Sequence, residues 1–320
     1  MLACNWGKEM KTAIIIFTKV PQAGQTKTRL TEERGGIFSP QEAKEFYEAS
    51  LIDVINSCLR AQSGDLYICY NLNGDKEYLQ KLLQSNFNPG AVREIFPDQG
   101  GTFDQAMQYA VDYVFRKGQE GRLADGVIIV GGDIPSLQAV TIKEAVKKLE
   151  YLALSQEALE CGRKYFPAVY SGTAKPVAGK PTIGAAIIES IDQEGGFNLI
   201  GYTYTTPFDF HGVFYNQDGF TALDMIARKA AEKNIPLGLV DMVPDVDLPV
   251  DLASLIPVLN TLIQAEKFDP DITAPKRTIK FLQDFGFQTV ATADKYEARR
   301  SLNYCSEEES QHEIGQRRSK

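Results

Sequence analysis

Histidine is scarce: the 320-residue chain has 2, His211 and His312, too far apart to build a histidine-based metal centre. Cys4, Cys58, Cys69, Cys161 and Cys305 form no C-x-x-C pair. An odd cysteine count without pairing motifs argues against a disulfide framework or a zinc site and predicts free thiols in a reducing compartment. Long apolar runs are missing too. The N-terminal one, Ala13 to Phe17, is far shorter than a signal-peptide core or a membrane span, so a soluble, unprocessed cytoplasmic protein is expected. There is no excess of basic residues: the net charge is −8 and the pI about 5.1. Such a chain repels a polyanion, so nucleic acid is not an expected partner. Neither a Walker A loop nor a G-x-S-x-G nucleophile elbow occurs.

What is present fits an ordinary globular enzyme. Hydrophobic residues make up 43% and charged residues 24%. The length suits one large α/β domain or two small ones, with a core big enough to need no disulfide or structural metal. Thr12–Thr18 (TAIIIFT) is a β-branched run, as expected of a strand buried on both faces of a parallel sheet. Gln41–Arg60 carries apolar residues at helical spacing, and Ser39-Pro40 supplies a start signal. Further strands are expected at Asp65–Tyr70, Val92–Phe96 and Gly126–Val130, with helices at Lys76–Gln84 and Phe103–Lys117 between them. This alternation predicts a doubly wound, mostly parallel central sheet with helices on both faces. The second half is less regular. Helices are expected at Thr141–Leu159, Phe220–Lys233 and Val250–Gln264, and strands at Ile183–Ile191, Gly196–Thr205 and Leu237–Val243. One transferase domain over 12–264 is expected, with an insertion over 151–182 that could serve a protein partner. A peripheral helical extension over 265–303 and a polar, disordered tail over 304–320 complete the expected layout.

Five segments could carry chemistry. Lys19 to Leu30 follows the first strand and holds Lys19, Gly24, Lys27, Thr28 and Arg29. Backbone N–H groups around a glycine, with Lys and Arg for charge, are what a phosphate requires, although a solvated basic turn has the same composition. Gly131-Gly132-Asp133-Ile134-Pro135 puts a carboxylate after the fourth strand, where it could hold Mg²⁺ or Mn²⁺ or merely cap a helix. Asp245, Asp247 and Asp251 lie close together after the last strand; one could be a second metal ligand and another could face a helix N-terminus. Glu194-Gly195-Gly196 is either a ligand-approaching turn for an acceptor or sugar, or a plain hairpin turn. Gly100-Gly101 enters a helix and could take a phosphate there, or simply turn the chain. His211 reads as a surface or packing residue.

Together these motifs resemble a bacterial and archaeal family of GT-A-like proteins often labelled glycosyltransferases, relatives of phospholactate and molybdenum cofactor guanylyltransferases. The family's F-x-K-x-P-x-x-G-x-x-K-T-R-L is similar to Phe17, Lys19, Pro21, Gly24, Lys27, Thr28, Arg29 and Leu30. Its G-x-D-x-P matches Gly131, Asp133 and Pro135, and its D-x-D-x-x-x-D-L matches Asp245, Asp247, Asp251 and Leu252. Its D-G-G-Y-x-L-I-G is similar to Glu194-Gly195-Gly196-Phe197-Asn198-Leu199-Ile200-Gly201. The resemblance runs in order from about Thr12 to Leu262. It implies a Rossmann-like GT-A fold, a nucleotide over the first loop and a divalent metal near Asp133; with the residue reading, Lys27 and Asp133 are the expected catalytic residues and Asp133 and Asp247 the expected ligands of Mg²⁺ or Mn²⁺.

The expected ligands are a nucleotide or nucleotide sugar and a small-molecule acceptor, with a homodimer left open. Two reactions share such a loop: glycosyl transfer from a nucleotide sugar, and nucleotidyl transfer from an NTP to a small phosphorylated or acidic acceptor with release of diphosphate. Departures from the family pattern keep a non-catalytic nucleotide-binding descendant open as well. A Leu-Gly-x-Arg segment is replaced by Phe103-Asp104-Gln105-Ala106, Glu194 stands for Asp, and 151–182 is extra.

Overall fold

The computed structural model describes residues 10–116, 121–171, 183–192, 194–291 and 300–304. The first half of the chain runs β1 (Thr12–Thr18), α1 (Pro40–Ala61), β2 (Asp65–Tyr70), α2 (Lys76–Asn86), β3 (Glu94–Pro97), α3 (Phe103–Phe115) and β4 (Gly126–Gly131). The second half runs α4 (Ala139–Ala153), α5 (Gln156–Tyr165), α6 (Pro167–Tyr170), β5 (Ile187–Ile191), β6 (Phe197–Thr203), α7 (Ala222–Lys233), β7 (Leu237–Val240), α8 (Pro249–Ala265), α9 (Lys276–Phe285), β8 (Phe287–Ala291) and β9 (Arg300–Tyr304). Two compact units result. One comprises Met1–Val20, Ile55–Gly132 and Leu137–Val243; the other comprises Pro21–Val54, Asp133–Ser136 and Pro244–Lys320.

The first unit holds a seven-stranded sheet in the order β3-β2-β1-β4-β6-β5-β7. All neighbours pair in parallel except β6, which runs against both β4 and β5. β1 is flanked on both sides, so every residue but Phe17 is buried, which explains its continuous apolar run. On one face, Ile15, Val127, Ile129, Ile187, Ile200 and Tyr202 pack with Met107, Val111 and Val114 of α3 and Ile226 and Ala230 of α7. On the other, a Cβ at Gly126 or Gly238 would meet Leu149 or Leu152 of α4, so α4 covers that face closely.

Several element ends differ from expectation, each for a local reason. The single helix expected over Thr141–Leu159 is broken, because Ser155 turns its Oγ to accept from Ala158 N at 3.2 Å and starts α5 afresh. β5 begins only at Ile187: before it, Thr203 Oγ1 donates to Gly184 O and Thr206 Oγ1 accepts from Ala186 N, replacing ladder partners with hydroxyls. β7 stops at Val240, after which Ser190 Oγ donates to Asp241 O and accepts from Val243 N, and Asn198 Nδ2 donates to Val243 O. The stretch expected as a loop from Phe166 starts with α6, and its remainder, 172–182, lies outside the described residues. Cys58, Cys69 and Cys161 are buried free thiols; Cys4, Cys305 and His312 lie outside the described residues. Among the described residues no helix is long and apolar enough to cross a membrane.

The second unit packs around phenylalanine. Phe38 lies 5.5–5.9 Å, centroid to centroid, from Phe46, Phe281, Phe285 and Phe287. Leu30, Val246, Leu252, Leu255 and Leu259 complete this core. The segment expected to be a peripheral helical extension therefore supplies core side chains, and it is not all helix. β8 and β9 pair antiparallel from Phe287↔Tyr304 to Ala291↔Arg300, which takes Tyr304 out of the expected tail; 305–320 lie outside the described residues. Ser39 starts α1 as the sequence signal implies. Its N–H donates to Glu42 Oε2 and its Oγ accepts from Glu42 N, a reciprocal cap. Asp53 of α1 accepts from Thr278 N at 2.8 Å and so caps α9, whose own N-cap, Pro275, offers no side-chain acceptor.

Among the described residues, the sheet buries three side-chain groups without a hydrogen-bond partner, on Thr12, Tyr202 and Glu189, and only Glu189 is a carboxyl. Glu189 is 3% exposed on β5, on the face of Ile187 and Ile200, and among the described residues its Oε2 has no hydrogen-bond partner. Burial pushes its carboxyl up to about 7. A carboxyl raised in the folded state contributes stability that is complete below its unfolded pKa and is lost as pH rises through the folded value. Relative to Glu189→Gln, wild-type stability should therefore fall by about 2 kcal/mol between pH 5 and pH 8. Urea unfolding of both proteins at the two pH values tests this. Parallel pH profiles would mean that Glu189 is ionised and partnered in the fold.

Candidate functional site

The second unit gathers three stretches that are distant in the chain. Pro21–Leu30 follows β1 in the sequence, Asp133 follows β4, and Asp247 precedes α8. Gly24 bends the loop with φ +76°, and no atom would crowd a Cβ there, so the requirement is for backbone conformation alone. Thr26, which is buried, locks the turn: its Oγ1 donates to Gln22 O at 3.0 Å and its N–H reaches the same carbonyl at 3.1 Å. The chain then enters Lys27 with φ 48° and ψ 38°, the left-handed region, directly before the short 3₁₀ turn Thr28–Leu30. For a lysine that conformation costs about 1–2 kcal/mol. Leu30, fully buried in the phenylalanine core, anchors the far end.

The strained backbone aims the Lys27 side chain inward. Its Nζ donates to Asp133 Oδ2 at 2.8 Å and to Asp247 Oδ1 at 2.7 Å. The Lys27 side chain is 3% exposed, whereas Asp133 and Asp247 are 28% and 35% exposed. Burial alone would lower the Lys27 ammonium, but the two carboxylates outweigh it and hold the group well above the usual lysine range. Arg29, 59% exposed, donates from NH1 to Asp247 Oδ2 at 3.1 Å. Asp247 is held in turn from its backbone: Asp251 Oδ2 accepts from Asp247 N at 3.0 Å and from Leu248 N at 2.7 Å, capping α8. The acidic cluster after β7 thus divides its work, Asp251 serving the helix and Asp247 the ion pairs.

Two carboxylates converge on one locus, and the Lys27 ammonium stands in there for a positive ion. Among the described residues no group of three His, Cys, Asp or Glu side chains forms a closed metal cage. An open pair of carboxylates fits Mg²⁺ or Mn²⁺, which commonly bind one or two carboxylates and take the remaining oxygens from phosphate and water.

Lys19, Gly100, Gly101 and Glu194 to Gly196 belong to the first unit, and Asp245 to the second. Lys19 is exposed. Gly101 N donates to Gln105 Oε1 at 2.7 Å and Thr102 caps α3, so this N–H and this hydroxyl are engaged by the turn's own helix. Glu194 N and Gly196 N both donate to Asp192 Oδ1, at 2.7 and 2.9 Å, and Gly195 has φ +82° with Thr221 2.9 Å from where a Cβ would stand. These contacts describe a turn closed on itself against the start of α7. His211 is exposed. Sequence reasoning missed Asp104, whose two carboxylate oxygens accept from Gly212 N at 2.8 Å and Phe214 N at 2.9 Å, with Phe103 packed edge-on to Phe214. The signal was present: an acid in the first turn of α3, at the glycine position of the resembled Leu-Gly-x-Arg segment.

Replacing Lys27 with methionine leaves two carboxylates facing each other, whereas replacing Arg29 removes an exposed partner. Lys27→Met should lower unfolding free energy by about 3 kcal/mol and Arg29→Ala by less than about 1 kcal/mol. Denaturant titration of both variants checks this; equal losses would remove Lys27 from the centre of the cluster.

Residues 54–158 match the family described as "Uncharacterized protein conserved in bacteria (DUF2064)". No curated protein matches the sequence. Among solved structures, a putative nucleotide-diphospho-sugar transferase from Desulfovibrio desulfuricans G20 is similar, with 20% identity and a TM-score of 0.59 over 85% of this chain and 94% of that one. A cytidylyltransferase from Leptospira borgpetersenii serovar Hardjo-bovis matches with 8% identity and a TM-score of 0.45, covering 86% of this chain and 95% of that one. The seven-stranded, mostly parallel sheet and the similarity to the Desulfovibrio protein give this chain the GT-A-like α/β fold that its motifs resembled.

Proposed function

We propose that the protein is a metal-dependent transferase that uses a nucleotide-activated donor, transferring a glycosyl group from a nucleotide sugar. The observation that carries this reading is the convergence of Lys27, Arg29, Asp133 and Asp247 within one unit, from a glycine-containing loop and two acidic segments. Lys27 and Arg29 would neutralise the donor's phosphates, with loop N–H groups around Gly24 adding hydrogen bonds. Asp133 and Asp247 would hold Mg²⁺ or Mn²⁺, which supplies further positive charge where the leaving phosphate becomes more negative. In this reaction an acceptor oxygen bonds to the anomeric carbon, the carbon–oxygen bond to the phosphate breaks, and the nucleoside diphosphate leaves. The similar Desulfovibrio protein is described as a putative nucleotide-diphospho-sugar transferase, which supports the choice. Nucleotidyl transfer, with attack at the α-phosphate and loss of diphosphate, uses the same charges and is the second reading.

A thermal-shift panel of NTPs, NDPs and nucleotide sugars, each with Mg²⁺, Mn²⁺ or EDTA, separates these readings. A ligand at about 100 times its Kd stabilises the fold by about 2.7 kcal/mol. A nucleotide sugar is expected to raise Tm only when metal is present, and Lys27→Ala and Asp133→Asn should each abolish that shift. A shift with an NTP alone would move the assignment to nucleotidyl transfer. Binding without turnover for any donor and acceptor would make the protein a nucleotide-binding descendant, and unchanged shifts in both variants would remove the site.

A further inference from the structure

The Lys27 ammonium directs two of its three N–H donors and its charge at two carboxylates rather than at a donor's phosphates, and a metal cannot take the bridging position while the ammonium fills it. We propose that Lys27 is a displaceable latch: in the ligand-free protein it holds Asp133 and Asp247 together as a resident cation, and an incoming divalent ion expels it toward the donor's phosphates. This inference rests on the metal being held by those two aspartates, as in the proposed function.

Three features support a moving lysine on anchored aspartates. Asp247 is tied at its backbone by the Asp251 cap of α8, and Asp133 is followed by Ile134, which is fully buried. With both backbones anchored, only the carboxylate side chains have to close in from 2.8 and 2.7 Å around the ammonium to the shorter distance a divalent ion takes, about 2.1 Å for Mg²⁺. Lys27 instead carries its charge on a flexible four-carbon stem. Its backbone, at φ 48°, sits in a conformation that persists only where surrounding contacts impose it, and the two ion pairs are such contacts. Arg29 donates to the outer oxygen of Asp247 and, being exposed, can keep that contact or turn to phosphate.

The consequence is coupled binding. Removing one partner from a buried ion pair is costly because it leaves charge uncompensated. A divalent ion arriving alone restores the charge on the aspartates but strands the ammonium, so it binds weakly. A diphosphate group arriving with the metal receives that ammonium. Metal and donor therefore favour each other's binding, and the reciprocity follows from linkage. The latch also keeps the carboxylates from collecting divalent ions when no donor is present.

The test uses the metal-free full-length protein and Mn²⁺ alone, with free Mn²⁺ read by electron paramagnetic resonance. Lys27→Met is expected to bind Mn²⁺ roughly tenfold more tightly than wild type, because no resident cation has to leave, and Asp133→Asn should lose the binding. In the wild-type protein, acetylation of the Lys27 amine, read by peptide mass spectrometry, should be slow without metal and should rise with Mn²⁺ at the midpoint seen by resonance. This second measurement needs no variant to fold. Wild-type protein that binds Mn²⁺ while Lys27 stays unreactive overturns the latch but leaves the metal site standing. Equal or weaker Mn²⁺ binding by folded Lys27→Met also overturns the latch. If neither wild type nor variant binds Mn²⁺, the latch and the metal-dependent reading fail together.

Discussion

A buried ammonium needs a negative partner, and at Lys27 it has two. This requirement organises the candidate site. The lysine side chain is almost wholly removed from water, a position that is unfavourable for a charge unless it is paired and hydrogen-bonded. Asp133 and Asp247 meet that condition, and the chain draws them from positions 106 and 220 residues away from Lys27. Around this contact lie features that would be odd by themselves: a lysine in the left-handed region, a threonine spent on bracing a turn, and an aspartate that caps the start of a helix. Each of them fixes the direction of one member of the cluster.

The two units solve the problem of buried polarity differently. In the second unit nearly every charge near the site has a counter-charge or a cap. In the sheet unit, hydroxyls and amides replace strand partners where β5 and β7 begin and end, so that three threonines, Ser190 and Asn198 carry hydrogen bonds that a longer ladder would have made. Asp104 works in the same manner, converting the first turn of α3 into a clamp on the segment around Phe214. In the same turn Ala106, which is buried, stands where the resembled motif has its arginine, so this chain offers no cation there.

Glu189 stands apart from this economy. It is a carboxyl in an apolar layer, with burial as the cause of its displaced pKa. The physical effect is on stability: the fold tolerates the group because protonation removes the charge that the sheet interior cannot solvate.

Much of the sheet was legible in the sequence because hydrophobic period and turn residues are local. Thr12–Thr18 and Asp65–Tyr70 begin and end where the apolar runs do, and Ser39 caps α1 through Glu42, three residues along. The loop at Lys19–Leu30 and the acids Asp133 and Asp247 could be picked out by residue type and spacing. Their mutual engagement could not, since periodicity carries no information about contacts more than a hundred residues apart. Spacing alone also left Lys27 as one cation among three; only the fold buries it, strains it and sets it between two carboxylates while Lys19 falls in the other unit. The same holds for the reversed strand β6, the phenylalanine core that takes up the segment after 265, and the division of labour between Asp247 and Asp251. The sequence by itself determined most strands and helices of the sheet and its charged loops, because those preferences come from each residue and its near neighbours. The tertiary structure alone decided which charges meet, because electrostatic pairing and burial depend on distance in space.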